Sequence, residues 1–150
     1  MTKRLPLMIV FAVLLSLVLV ACGDEAAPVP TYTGATSLAT PDSFKSQMTT
    51  SMKDVKNASV ESFKTSDDLT KVKSGFESSF KGAGWSDQTA KYSSGSDLKP
   101  LTDAGVFFVG YQKGNKAAVI MGIPGPIAKA MGYTGVSDTE NAYLVISGNE

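Results

Sequence analysis

The 150-residue sequence contains no histidine, one cysteine and one tryptophan, and its 14 basic side chains are matched by 14 acidic ones. Without histidine there is no side chain whose ordinary pKa straddles neutrality, and the commonest metal ligand is missing with it. A lone cysteine has no partner for an internal disulfide, so the fold has to stand on its core. Zero net charge and a pI near 6.3 lack the basic excess that nucleic-acid binding requires. The glycines between 110 and 148 form neither G-x-G-x-x-G after a strand nor G-x-x-x-x-G-K-[ST], which removes the usual cradles for a nucleotide. No cofactor, metal, nucleic-acid or nucleotide partner is therefore expected. What remains, 43% apolar and 19% charged residues, is the composition of one ordinary folded domain.

The most specific signal lies at the start of the chain. Lys3 and Arg4 are the only basic residues before Lys45, and Leu7 to Ala21 form a 15-residue apolar stretch interrupted only by Ser16. That length suits the apolar region of an export signal and falls short of the roughly 20 residues of a spanning helix. The stretch ends in Leu19-Val20-Ala21-Cys22, which resembles the lipobox of bacterial lipoproteins. The resemblance implies a diacylglyceryl group on the Cys22 thiol, cleavage between Ala21 and Cys22, and a mature chain beginning at Cys22. It also implies export, with the protein lipid-anchored on the outer face of the cytoplasmic membrane or in the periplasm. The competing reading is an uncleaved anchor helix with Cys22 a bystander. Each buried methylene contributes about 0.8 kcal/mol, so two or three acyl chains anchor a protein stably where one does not. Losing Lys3 and Arg4 would leave 12 basic against 14 acidic side chains, a net of −2, too little to steer any partner strongly.

The rest divides into a tether, residues 22–40, and one domain, residues 41–150. Pro28, Pro30 and the Ala, Thr and Gly around them favour an extended tether, with Tyr32 and Leu38 able to dock on the domain. Residues 40–55 read as a helix: Thr40 is a candidate cap, Pro41 suits the first turn, and Phe44, Met48, Met52 and Val55 form one stripe. Residues 57–65 are a weaker strand, because Val60 and Phe63 fall on opposite faces. A capping-box pattern, Thr65 and Asp68, opens the clearest helix, with Leu69, Val72, Phe76 and Phe80 on one face. Asp67–Lys71, Lys73–Glu77 and Glu77–Lys81 lie on the other face, and Gly82 and Gly84 end the helix. Strands are then expected from Gly84 to Tyr92, from Val106 to Tyr111, from Ala117 to Met121 after a Lys113-Gly114-Asn115 turn, and from Ala142 to Ser147. Residues 93–104 read as a polar loop. The expected fold is α+β and two-layer: an antiparallel sheet of about four to five strands with two helices on one face. The chain also resembles a group of small, mostly uncharacterised exported bacterial modules. The matching residues are Tyr32-Thr33-Gly34-Ala35, Lys64-Thr65-Ser66-Asp67-Asp68 and the Gly84-Trp85 pair after the helix. That resemblance supports the fold and implies no activity.

Catalytic signatures fail on context. Ser78-Ser79-Phe80-Lys81 and Ser96-Asp97-Leu98-Lys99 match the S-x-x-K of penicillin-recognising enzymes. However, Ser78 falls near a helix end, Lys73-Ser74-Gly75 precedes it on the same helix, and no Ser-Asp-Asn follows. Asp97 and Asp103 share a loop without a calcium-loop pattern. The segment 122–136 is the most suggestive: its Ile123, Ile127, Met131 and Tyr133 sit among glycines and prolines, and form either a partner surface or a plug over the core. Trp85 is read as a packing anchor rather than a sugar-stacking platform. The functional expectation is a lipid-anchored, non-enzymatic binding or structural module, with the membrane and an envelope protein as partners. The alternative is a small enzyme, or enzyme accessory, acting on envelope polymers through unrecognised Ser or Asp chemistry. Substituting Cys22→Ser should release the protein from membranes or leave an uncleaved precursor, whereas unchanged fractionation and mass would refute the lipobox reading.

Overall fold

The final strand is apolar on both of its faces, and this decides the architecture. Ala142, Leu144 and Ile146 alternate with Tyr143 and Val145, and all five are buried. A strand with this pattern needs a neighbour on each edge and a cover on each face. The computed structural model describes residues 28–93 and 98–149. In chain order the elements are β1 (Thr36–Leu38), α1 (Asp42–Ser51), β2 (Lys56–Thr65), α2 (Leu69–Gly82), β3 (Ser86–Asp87), α3 (Thr89–Ser93), α4 (Lys99–Asp103), β4 (Phe107–Lys113), β5 (Lys116–Pro124), α5 (Gly125–Ala130) and β6 (Asn141–Asn149). The strands form a single antiparallel sheet in the order β1-β2-β6-β5-β4-β3, with β6 inside it.

The α+β class and the antiparallel sheet match the sequence reading, and two details are corrected. The sheet has six strands rather than four to five, and the two long helices lie on opposite faces rather than on one. Phe44 and Met48 of α1 pack with Phe108, Met121, Leu144 and Ile146, while Val72, Phe76 and Phe80 of α2 pack with Val109, Ile120, Tyr143 and Val145. The strand residues in the two sets are neighbours in sequence and so point to opposite sides. Val60 and Phe63 divide in the same way, so the feature that weakened the β2 reading is the mark of a strand covered twice. The added strand is β1, an edge piece of three residues, and the strand expected from Gly84 survives as the two-residue edge piece β3.

Several boundaries follow from local hydrogen bonding. Thr40 does not cap α1; the helix starts behind Pro41 without a side-chain cap, and the buried Thr40 hydroxyl instead shares a 2.7 Å hydrogen bond with Ser62 Oγ. Asp68 is itself the N-cap of α2, its Oδ1 accepting the Thr70 N–H at 2.7 Å, so the expected box with Thr65 is replaced by a Thr65 turn that accepts the Asp67 N–H. The expected strand from Gly84 to Tyr92 is two residues long, because Asp87 accepts the Thr89 N–H at 2.7 Å and starts α3. That helix seals the β4 edge: the Gln88 N–H donates to Gly110 O, and the Gly110 N–H donates to Thr89 Oγ1. Gly110 is glycine because the buried Tyr92 ring occupies the space of a Cβ. The 93–104 segment is not wholly loop, since α4 lies within it. Residues 28–40, assigned to the tether, belong to the fold, with β1 paired to β2 and Leu38 buried.

Phe76, fully buried at the middle of α2, is the test of the second core. Phe76→Ala should cost about 3–5 kcal/mol, read as a lowered urea midpoint. The exposed Ser78→Ala on the same helix should move it by less than about 0.5 kcal/mol.

Candidate functional site

The sequence-derived candidates separate into three groups. Ala21 and Cys22 lie outside the described residues, as do Ser96 and Asp97. Ile123 and Tyr133, at 0% and 3% exposure, are core residues, so they are corrected from partner surface to plug. The physical reason is α5, which folds the segment back over the first core. There the Tyr133 ring packs 5.9 Å from Phe44, and its hydroxyl completes a buried chain with Ser62 Oγ and Thr40 Oγ1. Ile127 and Met131 are half-buried against the same cluster. Trp85 is buried edge-on to Phe80 at 5.1 Å, which makes it a packing residue. Ser78 is exposed on α2, with Lys73-Ser74-Gly75 one to two turns earlier on that helix, so the S-x-x-K match assembles no active site.

Among the described residues, two hollows bear on function instead. One lies under the segment 29–32, which crosses the second face beside α2. Tyr32 wedges in with its ring 5.8 Å from Phe76 and 6.2 Å from Tyr143. Its hydroxyl donates to Asp67 Oδ2 at 2.7 Å, and Lys71 Nζ donates to Asp67 Oδ1 at 2.7 Å. Gly75 makes the close approach possible, since a Cβ there would stand 2.6 Å from the Tyr32 ring. Beside this wedge is a cavity of about 240 Å³ lined by Val29, Tyr32, Phe63, Phe76 and Tyr143, with Glu61 at its margin. The other hollow is a groove of about 420 Å³ between α1 and β2, floored by Met48, Met52, Ala58 and Val60 and rimmed by Lys45 and Lys53. Its flexible thioethers and ammonium groups suit an apolar group carried next to a carboxylate.

Among the described residues, the groups whose pKa is shifted are all held more firmly in their ordinary charge state. Lys71, and after it Tyr32, hold the Asp67 carboxyl below the usual carboxylate range. Thr70 does the same for Asp68, Thr89 for Asp87, and the Ser137 N–H followed by Lys64 for Glu140. Burial, and after it Asp67, pushes the Tyr32 phenol up, while the Asp67 carboxylate raises Lys71. Burial pushes Tyr111 up to about 12 and raises Tyr133 and Tyr143. None of these shifts brings a group toward neutrality, where general acid–base work is done. Among the described residues no three carboxylate or thiol groups are placed to hold a metal ion, and no helix is long and apolar enough to cross a membrane.

No protein-family model matches the chain, and neither does a curated protein or a solved structure.

The sequence reading has Tyr32 able to dock on the domain, as it does, but does not identify its place against α2 or its Asp67 partner. The available signal was Gly75, an entropically unfavourable residue in the middle of a strongly amphipathic helix, which marks a close approach. The Asp67 network has a defined pH signature. Its folded-state pKa lies below the unfolded value, so its stabilisation is present above the ordinary carboxylate value of about 3.9 and lost as pH falls through the folded one. Asp67→Asn should therefore lower the Tm at neutral pH, and the two proteins should converge in Tm under strongly acidic conditions. A constant offset at every pH would assign the loss to packing instead.

Proposed function

We propose that this chain is a lipid-anchored extracytoplasmic protein whose domain binds rather than catalyses. The observation that carries the reading is Leu19-Val20-Ala21-Cys22 at the end of a 15-residue apolar stretch, with Cys22 the only cysteine in the chain. On this reading residues 1–21 are removed, and acyl chains on Cys22 hold the protein at the outer face of the cytoplasmic membrane or in the periplasm. One feature supports a non-enzymatic role: among the described residues, the groups whose pKa is shifted all keep one charge state through neutral pH. The surface offered to an envelope partner is the groove between α1 and β2, where Lys45 and Lys53 favour an anionic group beside an apolar one.

Intact-mass measurement on protein extracted from membranes tests both halves. The expected mass lacks residues 1–21 and carries a diacylglyceryl group, and treatment with a fluorophosphonate leaves it unchanged. A free thiol on an uncleaved chain would overturn the anchor. Stoichiometric fluorophosphonate addition would overturn the non-enzymatic reading.

A further inference from the structure

The two ends of the sheet differ in how their lysines are neutralised. At the end where β2 finishes and β6 begins, each lysine has a carboxylate: Lys64 with Glu140 at 3.1 Å, Lys71 with Asp67 at 2.7 Å, Lys99 with Asp103 at 2.9 Å and Lys129 with Asp138 at 2.8 Å. At the other end the strand register sets Lys113 opposite Lys116, Lys116 opposite Asn149, and Asn149 opposite Lys56. Three lysines thus share one row about 14 Å long across four strands. Lys53, in the turn before β2, and Lys81, in the last turn of α2, flank this row. Among the described residues none of Lys53, Lys56, Lys81 and Lys116 forms an ion pair, and Lys113 donates to the Ala83 carbonyl. Among the described residues Asp54 adjoins Lys53 in the turn before β2, Asp87 lies in β3, and Glu77, one turn before Lys81 on α2, is paired with Lys73 at 3.9 Å, so the five lysines outnumber these carboxylates.

The route of the chain adds a second, independent observation. The turn at Thr33-Gly34, where Gly34 has φ +88°, reverses the chain between the 29–32 segment and β1. Because β1 runs from the Lys64 level to the Ser62 level, the segment before the turn leads backward from Asp67 toward Glu61 and Val145, which line the same cavity as Val29. Followed back from Tyr32 to Val29, the described chain therefore heads toward the lysine-rich end. The seven steps from Cys22 to Val29 can span at most about 24 Å. Passing the five residues from Glu61 to Lys56 takes about 16 Å, so the tether is long enough for the lipidated residue to reach the row.

We infer that the row Lys56, Lys113 and Lys116, with Lys53 and Lys81, docks on the anionic phospholipid head groups of the membrane that carries the anchor. This inference rests on the proposed lipidation of Cys22. The acyl chains supply retention, and the lysines supply orientation. They turn this end of the sheet toward the membrane and the ion-paired end, with its Asp67–Lys71 network, away from it.

The test uses the full chain purified from membranes and reconstituted in vesicles of phosphatidylcholine alone, or of phosphatidylcholine mixed with phosphatidylglycerol. Lysine acetylation is then followed residue by residue by mass spectrometry. Lys53, Lys56, Lys81, Lys113 and Lys116 should react about fivefold more slowly on the anionic vesicles, while Lys64, Lys71, Lys99 and Lys129 are unaffected. The protection should vanish near 1 M salt, where the Debye length is about 3 Å, and in the triple variant Lys56→Glu, Lys113→Glu, Lys116→Glu with an unchanged circular dichroism spectrum. Equal reactivity on the two vesicle types overturns the docking, including the case in which Asp24 and Glu25 of the chain itself occupy the row. The anchor is scored separately by flotation on neutral vesicles. A chain that floats there without lysine protection on anionic vesicles loses the docking alone. A chain that floats only on anionic vesicles, through these lysines, loses the anchor alone, and one that floats on neither loses both.

Discussion

Double-sided burial of β6 is the constraint on which the rest of the structure depends. A strand whose alternate side chains are Leu144 and Ile146 on one face and Tyr143 and Val145 on the other cannot be satisfied by one layer of helix. β2 and β5 supply its two edges, and α1 and α2 must then take opposite faces. Each helix is only modestly apolar by itself and gains its stability from the sheet face it covers. The short helices have complementary roles: α3 seals the β4 edge through Gln88 and Thr89, and α5 folds Tyr133 over the first core. Sealing matters because an open, flat strand edge is a template for unwanted pairing. The β2 edge beyond β1 is guarded differently, by a register shift between Lys56 and Ser59 and by charged residues.

The N-terminal segment links the core to the chain's attachment. Val29 and Tyr32 cover the part of the second face that α2 leaves open, and the Tyr32 hydroxyl ties that segment to Asp67 and Lys71 at the start of α2. Followed back from Tyr32 to Val29, this segment heads toward the end of the sheet where Lys56, Lys113 and Lys116 share a row.

The direction of the shifted ionisations has a structural origin. Among the described residues, every perturbed carboxyl accepts N–H donors or faces a lysine, and every perturbed tyrosine is raised by burial. Both effects deepen the ordinary ionisation state. The two hollows present thioethers and ammonium groups beside α1 and aromatic rings beside Tyr32.

The sequence by itself determined the class of the fold, the stripe of α2, the β4–β5 hairpin around Gly114 and the buried character of β6, because each rests on periodicity or turn chemistry within a few neighbouring residues. The proposed lipobox rests on the linear run Leu19-Val20-Ala21-Cys22 alone. The strand from Gly84 was misread because one side chain, Asp87, caps a helix at a point where the residues on either side suit a strand. For Ile123 and Tyr133 both a partner surface and a core plug stood open, because glycines and prolines mark loops and a loop's burial depends on what it folds against; the structure makes them a plug. Which face each helix takes, the Tyr32–Asp67–Lys71 contact across 35 residues of chain, and the gathering of Lys56, Lys113 and Lys116 into one row were decided only in three dimensions. Each of these depends on strand order and register, and an antiparallel sheet sets both through partners distant in sequence.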